Sequence, residues 1–303
     1  MDVEKKLTSE SKSKKIMKKF LKSLICLFLI SIFFIKIEKA HSIIPYYYFP
    51  TKTNLQKKSL SLGKSAYQLL YFGKYKESLN LAKLAVKINS KDEQLWLILS
   101  ETQIANKLYQ DALNSLNKAE IINSNISQIY FSKSSIYLQI SQKKNAKIAL
   151  EKGLKIDPDN HKAIFQLGNI LLMEKNYLEA IKFFDKSIKV KPDFWQAINN
   201  KGLAYFEENN LNLSIKLFER AISIQENAEP LLGLASCLRI KDINLALSLA
   251  KKALTKDPNY VSYEYRKEQL WGEKLQTSTE ILLKNKAIQK DVILAKSKIN
   301  TSS

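Results

Sequence analysis

The chain has 303 residues, 45% of them hydrophobic and 26% charged, with only seven glycines and six prolines. That is enough apolar material for a buried core, and so little glycine and proline argues for helices and against a sheet domain. The formal charge of +20 comes almost wholly from lysine, because Arg220, Arg239 and Arg266 are the only arginines. Specific phosphate and base recognition leans on arginine's bidentate fork, so specific nucleic-acid binding is not expected, whereas attraction to anionic lipid or an acidic partner stays open.

Residues 1–22 form a basic tail with eight lysines, and 23–35 carry no charge. Residues 20–37 make a marginal membrane span if Lys22 and Lys36 extend toward the interfaces, since a crossing needs about 20 apolar residues. The same layout fits a secretory signal peptide, with Ala40-His41-Ser42 as a small-residue cleavage site before Ile43. An uncleaved single-pass anchor keeps the N-terminus inside and places the rest of the chain on the extracytoplasmic or lumenal side. Cleavage instead releases it into a periplasm or lumen. Residues 38–58 read as an aromatic and proline linker, in which IIPYYYFP (43–50) is either an interfacial aromatic belt or an extended segment. Cys26 lies in the apolar stretch and Cys237 far downstream as a small hydrophobe, so cysteine usage fixes no redox compartment.

From residue 59 the sequence keeps a period of 34. Ala66, Ser100, Ser134, Gly168 and Gly202 are evenly spaced at that interval, as are Ser78, Ala112, Ala146, Ala180 and Ser214. A third small-residue column runs Ala85, Ala119, Gly153, Ser187 and Ala221. Each unit reads as two amphipathic helices joined by a turn, with the first two columns where the helices of a pair cross and the third where the next repeat packs. Pro158, Pro192 and Pro258 close second helices. The units are 59–92, 93–126, 127–160, 161–194 and 195–228, with a sixth at 229–260 that is two residues short. Beyond it, 261–303 is expected to supply capping helices and a tail, with Tyr260, Tyr263, Leu270 and Trp271 available to cover the last pair. Residues 279–300 have helical periodicity.

Leu167, Gly168, Ala180, Phe184 and Pro192 of the fourth unit resemble the tetratricopeptide repeat (TPR) consensus, and the period itself is that family's signature. The resemblance implies an all-α superhelical solenoid of helix-turn-helix repeats with C-terminal capping helices, here preceded by a membrane or signal segment. The junction at 43–50 and the motif Lys267-Glu268-Gln269-Leu270-Trp271-Gly272-Glu273 are also similar to a cyanobacterial and plastid group of membrane-anchored TPR proteins. One member of that group interacts with light-dependent protochlorophyllide oxidoreductase. This second resemblance implies a thylakoid setting and a part in assembling photosynthetic membranes or pigment enzymes.

Catalysis finds little footing. His41 and His161 are the only histidines, too few for a metal cluster or a triad, and no phosphate-binding glycine loop follows a strand. The pair Glu207-Glu208 falls in a polar turn and is expected to be solvated. No enzyme activity and no cofactor are anticipated.

In TPR proteins the concave groove is lined by set positions of the first helices. Carried onto this chain, they give the candidates Gln128, Phe131, Ser132, Ser135, Lys162, Phe165, Gln166, Asn169, Gln196, Asn199, Asn200 and Phe206. Amides donate and accept at once, so such a ladder suits the backbone of an extended peptide, and the phenylalanines offer apolar pockets. For any one of these residues, a solvated amide or a partly core ring is the competing reading. The carboxylate clamp that some TPR domains use on chaperone tails needs Lys and Asn where this chain has Gly63 and Tyr67, then Leu97 and Glu101.

The expectation is therefore a membrane-associated scaffold and assembly factor that binds a protein partner, as an extended peptide or helix, in its groove. The alternatives are a periplasmic or thylakoid-lumenal TPR protein released by cleavage, and a self-associating array whose basic face coats anionic membranes.

Overall fold

A computed structural model describes residues 50–302, together with 17–19 and 22. The span 20–37, the cleavage site with His41, Cys26 and the aromatic run to residue 49 lie outside the described residues, apart from Lys22. Among the described residues, no helix is long and apolar enough to cross a membrane. The chain divides at residues 51 and 52, and the second unit carries the repeats.

Six helix pairs follow in order. They are α1 (Lys52–Tyr71) with α2 (Tyr75–Ile88), α3 (Glu93–Ala105) with α4 (Tyr109–Ile122), and α5 (Ser127–Gln139) with α6 (Lys143–Ile156). The others are α7 (His161–Met173) with α8 (Tyr177–Val190), α9 (Trp195–Glu207) with α10 (Leu211–Ile224), and α11 (Ala228–Leu238) with α12 (Ile243–Lys256). Helix α1 starts inside the segment read as linker, because after Pro50 nothing before Gly63 interrupts a helix. The two-residue deficit of the last unit falls in α11, which has 11 residues where α9 has 13.

The turns inside the pairs repeat as faithfully as the helices. Gly73, Lys107, Ser141, Lys175 and Asn209 all take positive φ, between 59° and 72°, at successive 34-residue steps. In each turn the next amide reaches five residues back: Leu108 N–H donates to Gln103 O at 2.8 Å and Gln142 N–H to Tyr137 O at 2.7 Å. This is the Schellman closure of a helix, which favours glycine or asparagine at the left-handed position. Only Gly73 and Asn209 advertise it in the sequence.

The small-residue columns lie where helices approach closely. Ser78 Oγ donates to Ala66 O at 2.6 Å, and Ser214 Oγ to Gly202 O at 2.9 Å, each across its own pair. A methyl group built on Gly168 would meet Phe184 at 2.5 Å, and Phe184 is fully buried. The third column behaves differently from expectation at two positions. The space beside Gly153 is filled by Phe131, and Ser187 Oγ donates to His161 O at 2.8 Å, so both pack within their own repeat.

After α12 come a 3-10 turn (Pro258–Val261), α13 (Tyr263–Glu268), α14 (Glu273–Leu283), a second 3-10 turn (Lys286–Ile288) and α15 (Gln289–Ser302). The helical periodicity of 279–300 is thus broken in two, where Asn285 caps the 3-10 turn through Ala287 N–H at 2.9 Å. One continuous apolar core runs from Leu171 to Ala295, and it takes in Tyr260, Trp271, Leu275 and Leu282. Tyr263 stays exposed. Arg266 is wholly enclosed and ties the cap together, donating to Gln276 Oε1 at 2.8 Å, Tyr260 O at 2.7 Å and the Glu280 carboxylate.

Two substitutions with opposite signs test this account. Ser141→Gly relieves the left-handed conformation and is expected to raise stability by about 0.5–1 kcal/mol. Gly168→Ala drives a methyl into Phe184 and is expected to cost about 1–3 kcal/mol. Urea denaturation followed by circular dichroism reads both.

Candidate functional site

The first helices α7, α9 and α11 touch in succession, so their outward positions share one face. On it opens a cavity of about 670 Å³ between α7, α9, α11 and the segment after α12. Six candidates meet at its wall: Lys162, Phe165, Gln166 and Asn169 from α7, and Gln196 and Asn200 from α9. Their spacing along each helix follows from turns of 3.6 residues, which return every third or fourth residue to the same side.

The amides form a directed ladder. Asn199 Nδ2 donates to Asn200 Oδ1 at 3.0 Å, and Asn200 Nδ2 donates to Asn169 Oδ1 at 2.9 Å. Asn199 itself is fully buried, and its Oδ1 has no hydrogen-bond partner. Phe165 meets Phe194 edge-on at 5.1 Å and leans on Phe184 at 5.8 Å, so it stands half in the core and half in the wall.

The remaining candidates lie elsewhere. Phe206 lines a separate opening with Arg239, Ser278 and Ile281. Phe131 fills the space over Gly153. Gln128 Nε2 donates to Ser132 Oγ at 3.2 Å, with Ser132 buried and Ser135 exposed. From α5 it is Leu138 that reaches the cavity.

The other side of the cavity belongs to residues outside the candidate set: Trp195, Glu229, Tyr260, Glu268, Gln269 and Leu270. Several come from the chain's own C-terminal segment, which folds back onto the first-helix face. Leu270 takes a φ of 66°, turning the chain between α13 and α14. Trp271 is then buried with its indole N–H donating to Glu229 Oε1 at 3.1 Å. This return also corrects the reading of Glu207 as solvated. Its carboxylate accepts from Leu275 N–H at 3.0 Å and Lys274 N–H at 3.3 Å, closing the N-terminus of α14 in place of a local cap. Gly272 passes so close to Glu207 that any side chain there would collide with it. Lys175 and Glu273 add an ion pair at 2.7 Å on the surface. The sequence signal for all this was the Trp-Gly pair where the period stops.

Burial sets the electrostatics. Glu229 is half-buried in the cavity wall, and desolvation pushes its pKa up to about 7 against hydrogen bonds from Trp271, Asn199 and Tyr260. Tyr260 is held neutral by burial and by Glu229. Burial lowers the pKa of His161, which stands edge-on to Phe194 at 5.0 Å, and pushes the Cys237 thiol up to about 12. Among the described residues no three of His, Cys, Asp and Glu cluster tightly enough to hold a metal.

The raised Glu229 pKa has a stability consequence. Between pH 4.5 and about 7 the folded state binds a proton that the unfolded chain releases, so this group's contribution falls as pH rises through that window. Glu229→Gln removes the dependence and is expected to gain on the order of 2 kcal/mol over the parent between pH 5 and pH 8. Paired urea titrations at the two pH values measure that difference.

One tetratricopeptide-repeat family model matches residues 127–160 and 196–227, and a second matches 149–182. No curated protein matches the chain in sequence. Among solved structures, pilF of Pseudomonas aeruginosa superposes with a TM-score of 0.62 at 15% identity, covering 71% of this chain and 98% of its own. A tetratricopeptide repeat protein from Parabacteroides merdae gives 0.59 at 19% identity, covering 79% and 99%. MamA from Desulfovibrio magneticus gives 0.51 at 17%, covering 55% and 95%. At these identities the structural likeness speaks for the fold alone, an all-α solenoid of tetratricopeptide-like helix pairs, and the family models place such repeats at 127–182 and 196–227.

Proposed function

We propose that this chain is a TPR adaptor that holds a segment of a protein partner, extended or helical, on its first-helix face, and that it has no enzymatic role. The observation that carries the reading is the amide ladder Asn199–Asn200–Asn169 running to the wall of an open cavity flanked by Phe165 and Trp195. Amides at the wall can meet both the N–H and the C=O of a peptide backbone, and aromatic walls concentrate binding energy.

The basic, apolar N-terminal stretch supports a finer proposal: the adaptor is tied to a membrane, with its repeats on the extracytoplasmic or lumenal side. Its service is then the assembly or biogenesis of membrane complexes, photosynthetic ones if the resemblance of the 43–50 and 267–273 motifs to the cyanobacterial and plastid group reflects shared work. Cleavage after Ser42 would leave the same groove in a periplasm or thylakoid lumen.

The test is capture of partners by the full tagged chain in detergent, quantified by mass spectrometry against the double variant Asn169→Ala/Asn200→Ala. The expected outcome is about a tenfold drop in the captured partner with an unchanged circular dichroism spectrum. Undiminished capture by the folded variant would move the binding surface elsewhere. Sequencing the bait's N-terminus in the same sample separates an anchored form from one beginning at Ile43.

A further inference from the structure

The cavity on the first-helix face has an electrostatic character opposite to that of the chain as a whole. The protein carries +20, yet the cavity wall holds two carboxylates, Glu229 and Glu268, against one lysine, Lys162. Among the described residues neither glutamate forms an ion pair. Glu229 is surrounded by neutral donors only: the Trp271 indole, the Asn199 amide and the Tyr260 hydroxyl. Burying a carboxylate without a cationic partner is costly, and that cost is offset when a cation arrives.

Two further observations point to the same kind of ligand. The walls carry four aromatic rings, Phe165, Phe194, Trp195 and Tyr260, and aromatic faces attract a desolvated ammonium or guanidinium. Beside Glu229, the fully buried Asn199 leaves its Oδ1 without a donor. Asn199 Oδ1 is thus an acceptor at this end of the site that still lacks a donor. A guanidinium brings five N–H groups and an ammonium three.

We infer that this cavity is a specificity pocket for a lysine or arginine side chain of the partner segment, with Glu229 as its counter-ion and Glu268 at its rim. The inference rests on the groove reading and adds to it the chemistry of the residue that is recognised. It also gives the C-terminal segment a part in recognition, because Tyr260 and Glu268 belong to the cap and not to a repeat helix. A flexible, basic side chain from an extended peptide enters between α7 and α9 while its backbone meets the Asn169 and Asn200 amides. Lys162 opposes this charge and sets a limit on the affinity.

Fluorescein-labelled nonapeptide pools, amidated at the C-terminus and fixed at the central position as Arg, Lys, Gln or Glu, provide the probe. Their anisotropy is titrated with the full chain in detergent at pH 8. The Arg or Lys pool is expected to bind about tenfold more tightly than the Gln and Glu pools. In Glu229→Gln, an isosteric change, the preference is expected to shrink to about twofold or less while all pools still bind. Glu268→Gln, at an exposed position that places no demand on folding, is expected to reduce it by about threefold. Equal binding of all pools to the parent chain, or a basic preference that survives in both variants, overturns the pocket assignment but leaves the groove standing. Binding of no pool by the folded chain overturns both.

Discussion

Everything in this fold depends on how closely the two helices of a repeat cross. A solenoid repeat buries its apolar face only against its partner helix and its neighbours, so there is no distant core to compensate for a poor crossing. At Gly168 and Gly202 the partner helix presents a fully buried phenylalanine, Phe184 and Phe218, in space that a side chain would occupy. Where serine replaces alanine at the facing column, its hydroxyl finds a backbone carbonyl across the pair, so a polar atom sits in the crossing without being left unpaired. The left-handed turn residue between the two columns fixes the angle at which the second helix returns. Lysine and serine tolerate that turn because the packing on either side leaves the chain no other course.

The end of the array poses the opposite problem, an apolar face with no further repeat to cover it. Here the answer is a segment that runs back along the first helices. Arg266 organises that segment from inside, taking a backbone carbonyl, an amide oxygen and a carboxylate as partners, so that a wholly buried guanidinium is satisfied on three sides. Glu207 then closes α14 from another repeat. Covering the core and shaping the cavity are therefore one event: Trp271, which seals the last pair, also bonds Glu229 in the cavity wall.

This coupling makes a charge meaningful that would be incidental elsewhere. The lysines that dominate the composition are mostly solvated, and several are neutralised on the surface, as where Lys252 and Lys256 share Glu226. Pairs of that kind contribute little. A half-buried carboxyl without a cationic partner is a stronger electrostatic feature than many exposed lysines, because solvent screens it less. The face offered to a partner is thus read poorly from net charge.

The sequence by itself determined the local, periodic part of this protein. Small residues every 34 positions and proline at helix ends act through neighbours within one or two turns or one repeat, and so leave a pattern in a single chain. The candidate amides Gln166, Asn169, Gln196 and Asn200 were legible for the same reason, since helical spacing alone puts them on one side. Tertiary structure decided whatever joins residues far apart in the chain. Asn199, one position from Asn200, is sealed from solvent and does not line the cavity, Phe131 turned to fill the space left by Gly153, and Phe206 opened onto a different hollow. Glu207 is in a turn by sequence and a helix cap by structure, 67 residues from the backbone it closes. Glu229 and Glu268, 39 residues apart, share a cavity wall only because the chain returns on itself. No period marks such a meeting, because it depends on where a non-repeating segment comes to rest against the last repeats and on the desolvation that this packing imposes.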